Sequence, residues 1–383
     1  MKGAARIAIL GGGPIGLACA LLLAQRRISA VVADARPLDE ARGDARVLAL
    51  SRGTWETLRP LLAADVPRHA AIREVHVSSA GEFGATHLSA DDFDGVDLGA
   101  TVLYGELLDA LARAAASQAL IEVRRPCRVM QVTQSAEHAV VALDDSSTLD
   151  VPLAVHAEGL AGLGDRRDTG TTQWALIADV RVMGPRPGSA FERFTREGPL
   201  ALLPAPARTG DGSARTLALV WCMSDAESAR RLAQPDDACV RELQHAIGAR
   251  IGQVEAIGAR RRYPLTQVMR ETVREHRVVA LGNAAQTLHP VAGQGFNLGM
   301  RDCVTLADAL ATHDEPGAAL ADYAARRRID RAAIYSLTRW LPDAFATRFT
   351  PIAMARVAGL VALDLVPPLR RQLAHLLMFG ART

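Results

Sequence analysis

The sequence predicts an α/β chain in which the two ends build one domain, an antiparallel sheet is inserted between them, and a helical segment follows. Three observations carry this reading. An apolar strand runs into a glycine-rich turn at residues 11–16, and a second runs into a polar turn and a glycine-studded helix start at residues 277–301. Between them the pattern changes to period-two alternation, the mark of half-buried strands.

The first strand, Arg6 to Leu10, is a continuous apolar run of the kind buried on both faces of a parallel sheet. It leads directly into Gly11-Gly12-Gly13-Pro14-Ile15-Gly16 and the helical run Leu17 to Arg27, so G-x-G-x-x-G stands in its required strand–turn–helix context. Gly11 permits the tight turn, Gly13 lets backbone approach a pyrophosphate, and Gly16 lets the helix pack close to the strand. A second strand, Ala30 to Ala33, ends at Asp34, 21 positions after Gly13, where a carboxylate can accept hydrogen bonds from an adenosine ribose. A 2′-phosphate would be repelled there, so FAD or NAD is expected before NADP.

In the middle of the chain Val180 and Val182 alternate with Asp179 and Arg181, and strand-like runs follow at Ala190 to Thr195, Pro199 to Leu203 and Thr216 to Met223. These predict an antiparallel sheet. Val240, Leu243, Ile247 and Ile251 then fall at helical spacing over Ala238 to Ile251, with Asp236 and Asp237 as expected caps. If the ends form one ligand-binding domain, this insertion covers the ligand's far side and the substrate pocket lies at the junction.

The stretch R-V-V-A-L-G-N-A-A-Q-T-L-H-P-V-A-G-Q-G-F-N-L-G-M-R returns to apolar strand character at Val278 to Leu281. Gly282 and Asn283 place a polar side chain at the strand's carboxyl end, where open α/β sheets bind ligands. A helix beginning near Gly295 turns unpaired N–H groups and a positive dipole end outward. Gly293, Gln294 and Gly295 could bring those donors to the negative pyrimidine ring of a reduced flavin. On its own the stretch reads equally as an ordinary strand, loop and helix with glycines for turning.

The charge balance, 44 basic against 42 acidic residues with only 4% aromatics, implies no nucleic-acid partner. Five cysteines without a C-x-x-C pair suit reduced thiols in a cytoplasmic compartment and exclude a disulfide reductase. Neither H-E-x-x-H nor G-x-S-x-G occurs, so no metal site and no serine hydrolase is expected. Lys2 and Arg6 precede too short an apolar run for a signal peptide, and no stretch reaches the ~18 apolar residues of a membrane span. Pro351 to Val366 is broken by Arg356 and Asp364 and closed by Pro367 and Pro368. Its Ile352, Met354, Val357, Leu360, Val361 and Leu363 can form one broad face, to pack on the body or a second subunit, or to meet a membrane surface or lipid-like substrate.

Four motifs in order resemble the flavin-dependent aromatic hydroxylases, and among them the ubiquinone-biosynthesis branch that includes the 2-polyprenyl-6-methoxyphenol hydroxylases. They are G-G-G-P-I-G, D-A-R-V-L-A-L at Asp44 to Leu50, F-E-R-F-T-R-E-G-P-L-A-L-L-P at Phe191 to Pro204, and G-N-A-A-Q-T-L-H-P-V-A-G-Q-G-F-N-L-G-M-R-D at Gly282 to Asp302. The resemblance implies a Rossmann-like FAD-binding domain of glutathione-reductase-like, aromatic-hydroxylase type. Its expected segments are residues 1–72, 100–174 and 264–315, with a substrate domain at 73–99 and 175–263 and a helical segment at 316–383.

It further implies FAD as cofactor, NAD(P)H as a transient reductant without its own Rossmann domain, and dioxygen. Through a flavin hydroperoxide, one oxygen would enter a polyprenylphenol ring. Gly11, Gly13, Pro14, Ile15, Gly16 and Asp34 are expected to hold the ADP half, Arg46 to lie over the flavin side, and Asn283 to meet the ribityl chain. Gly293, Gln294, Gly295, Phe296 and Asn297 would lie along the flavin ring. The plainer readings are a solvated arginine for Arg46 and a turn cap for Asn283. His289 is a conceivable proton relay, or it fixes backbone ahead of Pro290. The implied setting is cytoplasmic, peripheral to the inner membrane, in assembly with other ubiquinone-pathway proteins. A same-fold flavoenzyme that acts on an isoprenoid without oxygen insertion, and a non-catalytic scaffold subunit, are the alternatives.

Two departures motivate that last alternative. Ala157-Glu158-Gly159-Leu160-Ala161-Gly162 stands where relatives carry A-D-G followed by a serine and an arginine. Glu106 stands at a helix start where relatives place Arg or Gln, and its charge would repel a diphosphate.

Overall fold

Strands β1 (Ile7–Leu10) and β2 (Ala30–Ala33) are apolar at every position because their sheet is covered on both faces. Ile7 and Ile9 of β1 face a helical layer, while Ala8 and Leu10 face a small antiparallel meander. The computed structural model describes residues 6–380 apart from 63–64, 82–84, 160–172, 185, 207–214, 271–272 and 347–349.

With β8 (Ile121–Arg124), β12 (Ala154–His156), β20 (Arg274–Glu275) and β21 (Val278–Ala280), these strands form a sheet in the order β20-β21-β12-β1-β2-β8. Every pairing in it is parallel except β20 with β21. Its helical face packs α1 (Pro14–Gln25), α3 (Arg52–Leu62), α4 (Tyr104–Ala116), α7 (Gln294–Thr312) and the start of α8 (Pro316–Ala346). The short α2 (Leu38–Arg42) lies against α4. The meander is β9 (Val129–Gln134), β10 (Ala139–Leu143) and β11 (Thr148–Val151).

A second, three-stranded sheet orders β3 (Val47–Ser51), β7 (Gly99–Leu103) and β4 (His69–Ile72) as β3-β7-β4. From β4 the chain crosses into the large sheet through β5 (Glu74–Ser79) and β6 (Ala85–Ser89), then returns at β7. The large sheet adds β13 (Gln173–Met183), β14 (Ser189–Phe194), β15 (Pro199–Pro204), β16 (Arg215–Met223), β17 (Gln253–Ile257) and β18 (Arg261–Leu265). Its order is β17-β13-β16-β15-β14-β5-β6, with β18 beside the first half of β13. The expected antiparallel pattern holds except where β14 runs parallel to β5. A two-residue ladder joins β19 (Val268–Met269) to β22 (Gln286–Thr287).

Helix α5 (Asp225–Ala233) and helix α6 (Asp236–Ile247) lie on the large sheet, and Cys239, Leu243 and Ile247 of α6 pack against Leu176, Leu219 and Trp221. The expected caps of α6 are corrected: Pro235 takes the cap position, while Asp236 pairs with Arg260 and Asp237 with Arg241 one turn on. Both carboxylates still favour the positive helix end.

Helices α9 (Thr350–Leu365) and α10 (Pro367–Phe379) follow α8. Ala374 and Met378 of α10 are buried against Ile72, Leu88 and Ala190, so this part of the tail packs on the body. At the α9–α10 turn Leu365, Val366 and Leu369 stand exposed. The side chains of Ile352, Met354 and Leu360 lie outside the described residues, as do Lys2 and Leu160 to Gly162. Among the described residues no helix is long and apolar enough to cross a membrane.

Candidate active site

The glycines of the first turn answer to two different demands. A Cβ on Gly16 would overlap the carbonyl oxygen of Gly11, and one on Gly11, at φ +107°, would meet the Ala157 carbonyl carbon at 2.6 Å. Those two are required by the chain's own packing. Gly13 is not: a Cβ there would meet only the Tyr104 hydroxyl, at an ordinary 3.6 Å. That leaves room beside Gly13 at the α1 N-terminus, and Pro14 starts the helix without costing a donor. Such a cradle, which a side chain would fill, fits a diphosphate.

Ile15 joins the two ends of the chain. Its side chain lies where a Cβ on Gly299 would sit 2.9 Å away and one on Gly282 3.3 Å away. The Cys303 thiol also reaches the Ile15 carbonyl, at 3.4 Å. The two glycine-rich segments are therefore packed against each other, as a single ligand spanning both requires.

Asp34 is buried and already engaged. Gly12 N–H donates to its Oδ2 at 2.6 Å, Arg36 N–H donates to Oδ1 at 2.8 Å, and Arg125 pairs with Oδ2 at 2.9 Å. Arg125 also donates to the Gly12 carbonyl at 2.7 Å. A carboxylate offers about four acceptor positions, so one remains for a ribose. Sequence reasoning missed Arg125, and its charge weakens the argument that Asp34 repels a 2′-phosphate.

Arg46 is exposed, as in the simpler reading, but its guanidinium is engaged. Its guanidinium pairs with Asp44 at 2.6 Å and lies over the rings of Tyr104 and Tyr263, 4.9 and 5.7 Å from their centroids. Through Tyr104 it stands one ring away from Gly13. Glu106 pairs with Arg68, whose Nε donates to it at 3.0 Å, so its charge is offset by a neighbour. Glu158 faces His156, with 3.5 Å between Oε2 and Nδ1.

In the second glycine-rich segment Asn283 sits exposed on a short turn, Gly282–Ala284. Gly293 caps α7 at φ +58°, a conformation that favours glycine, and a Cβ there would press on Ala49 at 3.0 Å. A Cβ on Gly295 would meet nothing within 4 Å, so backbone at the start of α7 is open to approach. Gln294 is buried, with its side-chain oxygen 3.4 Å from Arg301, and Phe296 packs against the main core.

Two polar side chains of this segment turn inward. Asn297 accepts from Ser51 N–H at 2.8 Å and donates to Ala49 and Gly293 carbonyls at 3.1 and 2.8 Å, so its side chain fastens α7 to β3. His289 is buried, with Nε2 2.8 Å from the Gln173 side-chain oxygen and Nδ1 accepting from Val291 N–H at 3.3 Å. Burial pushes its pKa down to about 4. Both ring nitrogens are engaged, which fits the backbone-fixing alternative.

Behind this segment Asp302, fully buried, accepts from Gly282 N–H at 3.2 Å, Gln286 at 2.7 Å and Arg327 at 2.7 Å. Arg327 also donates to Asp330 at 2.6 Å. This network holds the second segment to α8. A cavity of about 330 Å³ lies beyond it between α3, α7, α8 and α10, lined by Arg301, Arg326, Asp308 and Phe379 among others. No residue of either glycine turn lines it, so we do not assign it to the cofactor.

The chain matches the family model of the FAD binding domain over residues 4–335. It is 30% identical to the ubiquinone hydroxylase UbiL of Rhodospirillum rubrum, covering 96% of this chain and 88% of that protein. It is 27% identical to the 3-demethoxyubiquinol 3-hydroxylase of Escherichia coli, covering 96% of each. Among solved structures the p-nitrophenol 4-monooxygenase of Pseudomonas putida superposes with a TM-score of 0.77 at 16% identity, over the whole of both chains. That likeness concerns the fold. The chain thus belongs to the FAD-binding domain family, among its flavin-dependent aromatic monooxygenases.

Proposed function

We propose that this chain hydroxylates the ring of a polyprenylated methoxyphenol in ubiquinone biosynthesis, with FAD as cofactor and NAD(P)H as a visiting reductant. The observation that carries the reading is the Ile15 contact with Gly282 and Gly299, which packs the open starts of α1 and α7 into one neighbourhood. Bound FAD supplies the redox chemistry, passing reducing equivalents from NAD(P)H to dioxygen so that one oxygen atom can reach the ring. The residues bind and orient. The α1 N-terminus takes the diphosphate beside Gly13, and Asp34, clamped by Gly12 and Arg125, holds the turn and offers its remaining acceptor position to the ribose.

Arg46 and Tyr104 flank that turn, and Asn283 meets the ribityl chain. Backbone donors at the start of α7 face the negative pole of the ring, held there by Asn297. We take residues 73–99 and 175–263 as the substrate domain. Phe194, stacked on Phe345 of α8 with ring centroids 3.8 Å apart, gives it an aromatic wall that would exclude water.

NADPH, a short-chain polyprenylphenol and labelled dioxygen test the reading together. Label is expected in the ring; NADPH consumption without label in the ring would refute hydroxylation. A preparation that stays colourless with added FAD would refute the cofactor site. The exposed Leu365, Val366 and Leu369, followed by Arg371, supply the apolar tip and cation of a peripheral membrane contact. The protein is expected to pellet with anionic liposomes, and Leu365→Ser/Leu369→Ser to stay in the supernatant; wild-type protein left in the supernatant would count against the contact.

A further inference from the structure

We propose that Glu74, His76 and His87 form a site for a borderline-soft transition-metal dication, zinc(II) first, on the large-sheet face that α6 also covers. Glu74 and His76 are two apart on β5 and so share a face, and His76 stands opposite His87 in the β5–β6 pairing. Their ligand atoms lie within 4.8 Å of one another, with His76 Nε2 3.6 Å and His87 Nε2 3.9 Å from Glu74 Oε2. Tetrahedral coordination at 2.0–2.1 Å sets donors about 3.4 Å apart. The carboxylate is therefore only a few tenths of an ångström too far from each ring.

The carboxylate is held by its neighbours, and Phe191 backs His76 at 5.1 Å. The two imidazoles are stacked with centroids 4.3 Å apart and planes 20° from parallel, so the His87 ring must turn for both Nε2 lone pairs to meet one ion. Ser189 donates to Glu74 Oε2 at 3.2 Å, and Arg186 stands 3.6 Å from Oε1, as outer-shell partners of a ligating carboxylate do. Among the described residues the buried Nε2 atom of His87 has no hydrogen-bond partner although a carboxylate lies beside it, which a metal would explain.

Three protein ligands leave a fourth position open to water. Arg193, hydrogen-bonded to Ser78 at 3.2 Å, and Arg250 add positive charge nearby, which favours hydroxide or another anion in that position. The ion would clamp β6, a sheet edge, to its neighbour.

The test titrates FAD-loaded protein with Zn²⁺ by calorimetry and with Co²⁺ by absorption at wavelengths above the flavin bands. One ion per chain at micromolar affinity or tighter is expected, with a cobalt band of tetrahedral intensity and a rise in melting temperature. His87→Ala and His76→Ala should each weaken binding at least a hundredfold, and Glu74→Gln about tenfold, with FAD content and metal-free melting unchanged. Should an alanine variant not fold, His87→Asn serves with the same expectation. Absence of saturable binding, or equal affinity in wild type and all variants, overturns the proposal; so does a site that takes inorganic phosphate and no metal.

Discussion

Replacing Asn297 by alanine removes three hydrogen bonds from a position only 2% exposed. Strand β3 pairs with β7 along one edge, and its other edge presents Ser51 N–H and the Ala49 carbonyl. The Asn297 amide meets both groups as the peptide of a neighbouring strand would, and its third bond holds the Gly293 carbonyl. An unsatisfied buried group costs about 1–3 kcal/mol. With the lowest value for each of the three, Asn297→Ala should lose about 3 kcal/mol of stability. Asn297→Asp keeps an acceptor for Ser51 but sets a carboxylate against two carbonyl oxygens, so it should lose at least as much. Urea denaturation followed by tryptophan fluorescence measures the loss. Release of Gly293 should also weaken FAD binding about tenfold, near 1.4 kcal/mol, read by flavin fluorescence quenching in the apoprotein. A loss below about 1 kcal/mol with unchanged FAD affinity would refute the role given to this amide.

The glycines of the first turn should separate cleanly. Gly13→Val is expected to fold with near-wild-type melting and purify colourless, whereas Gly16→Ala should fail to fold because its Cβ overlaps the Gly11 carbonyl. A yellow Gly13→Val protein would contradict the diphosphate assignment. His289 predicts a pH dependence. Its folded pKa is depressed to about 4 from 6.5, so between those values the unfolded chain holds a proton that the folded chain does not, and stability falls as pH falls. The full effect is about 3 kcal/mol by pH 4. His289→Gln should lose that part of the acid sensitivity and keep the wild-type pH–rate profile between about pH 6 and 8; parallel acid denaturation of the two proteins would show the assignment wrong.

Much of the fold was legible because its signals are local. The runs Ile7–Leu10 and Ala30–Ala33 are apolar throughout, which only a doubly covered parallel strand explains, and the strand–turn–helix order at residues 6–27 followed from the glycines. The strands at 189–194 and 199–204 were visible in composition and alternation. What stayed hidden depends on partners distant in sequence. Arg125 reaches Asp34 across 91 positions, and nothing near either residue announces it. The β5–β14 pairing is likewise non-local. Asn297 and His289 show a different limit: residue type marked both as polar groups in a ligand-binding segment, but not which way the side chains turn. E-x-H at Glu74 to His76 could have been read as one face of a strand, yet its third member comes from the neighbouring strand.

Helix α10 gives the site an order of assembly. The Ser51 hydroxyl donates to the Met378 carbonyl at 3.0 Å, Arg301 donates to the Leu377 carbonyl at 2.9 Å, and a Cβ on Gly53 would strike Met378. Ser51 and Arg301 belong to the two elements that Asn297 ties together, so a segment made late in translation braces groundwork laid early. A nascent polypeptide halted before residue 367 would leave those anchors dangling, and flavin capture should therefore await helix α10.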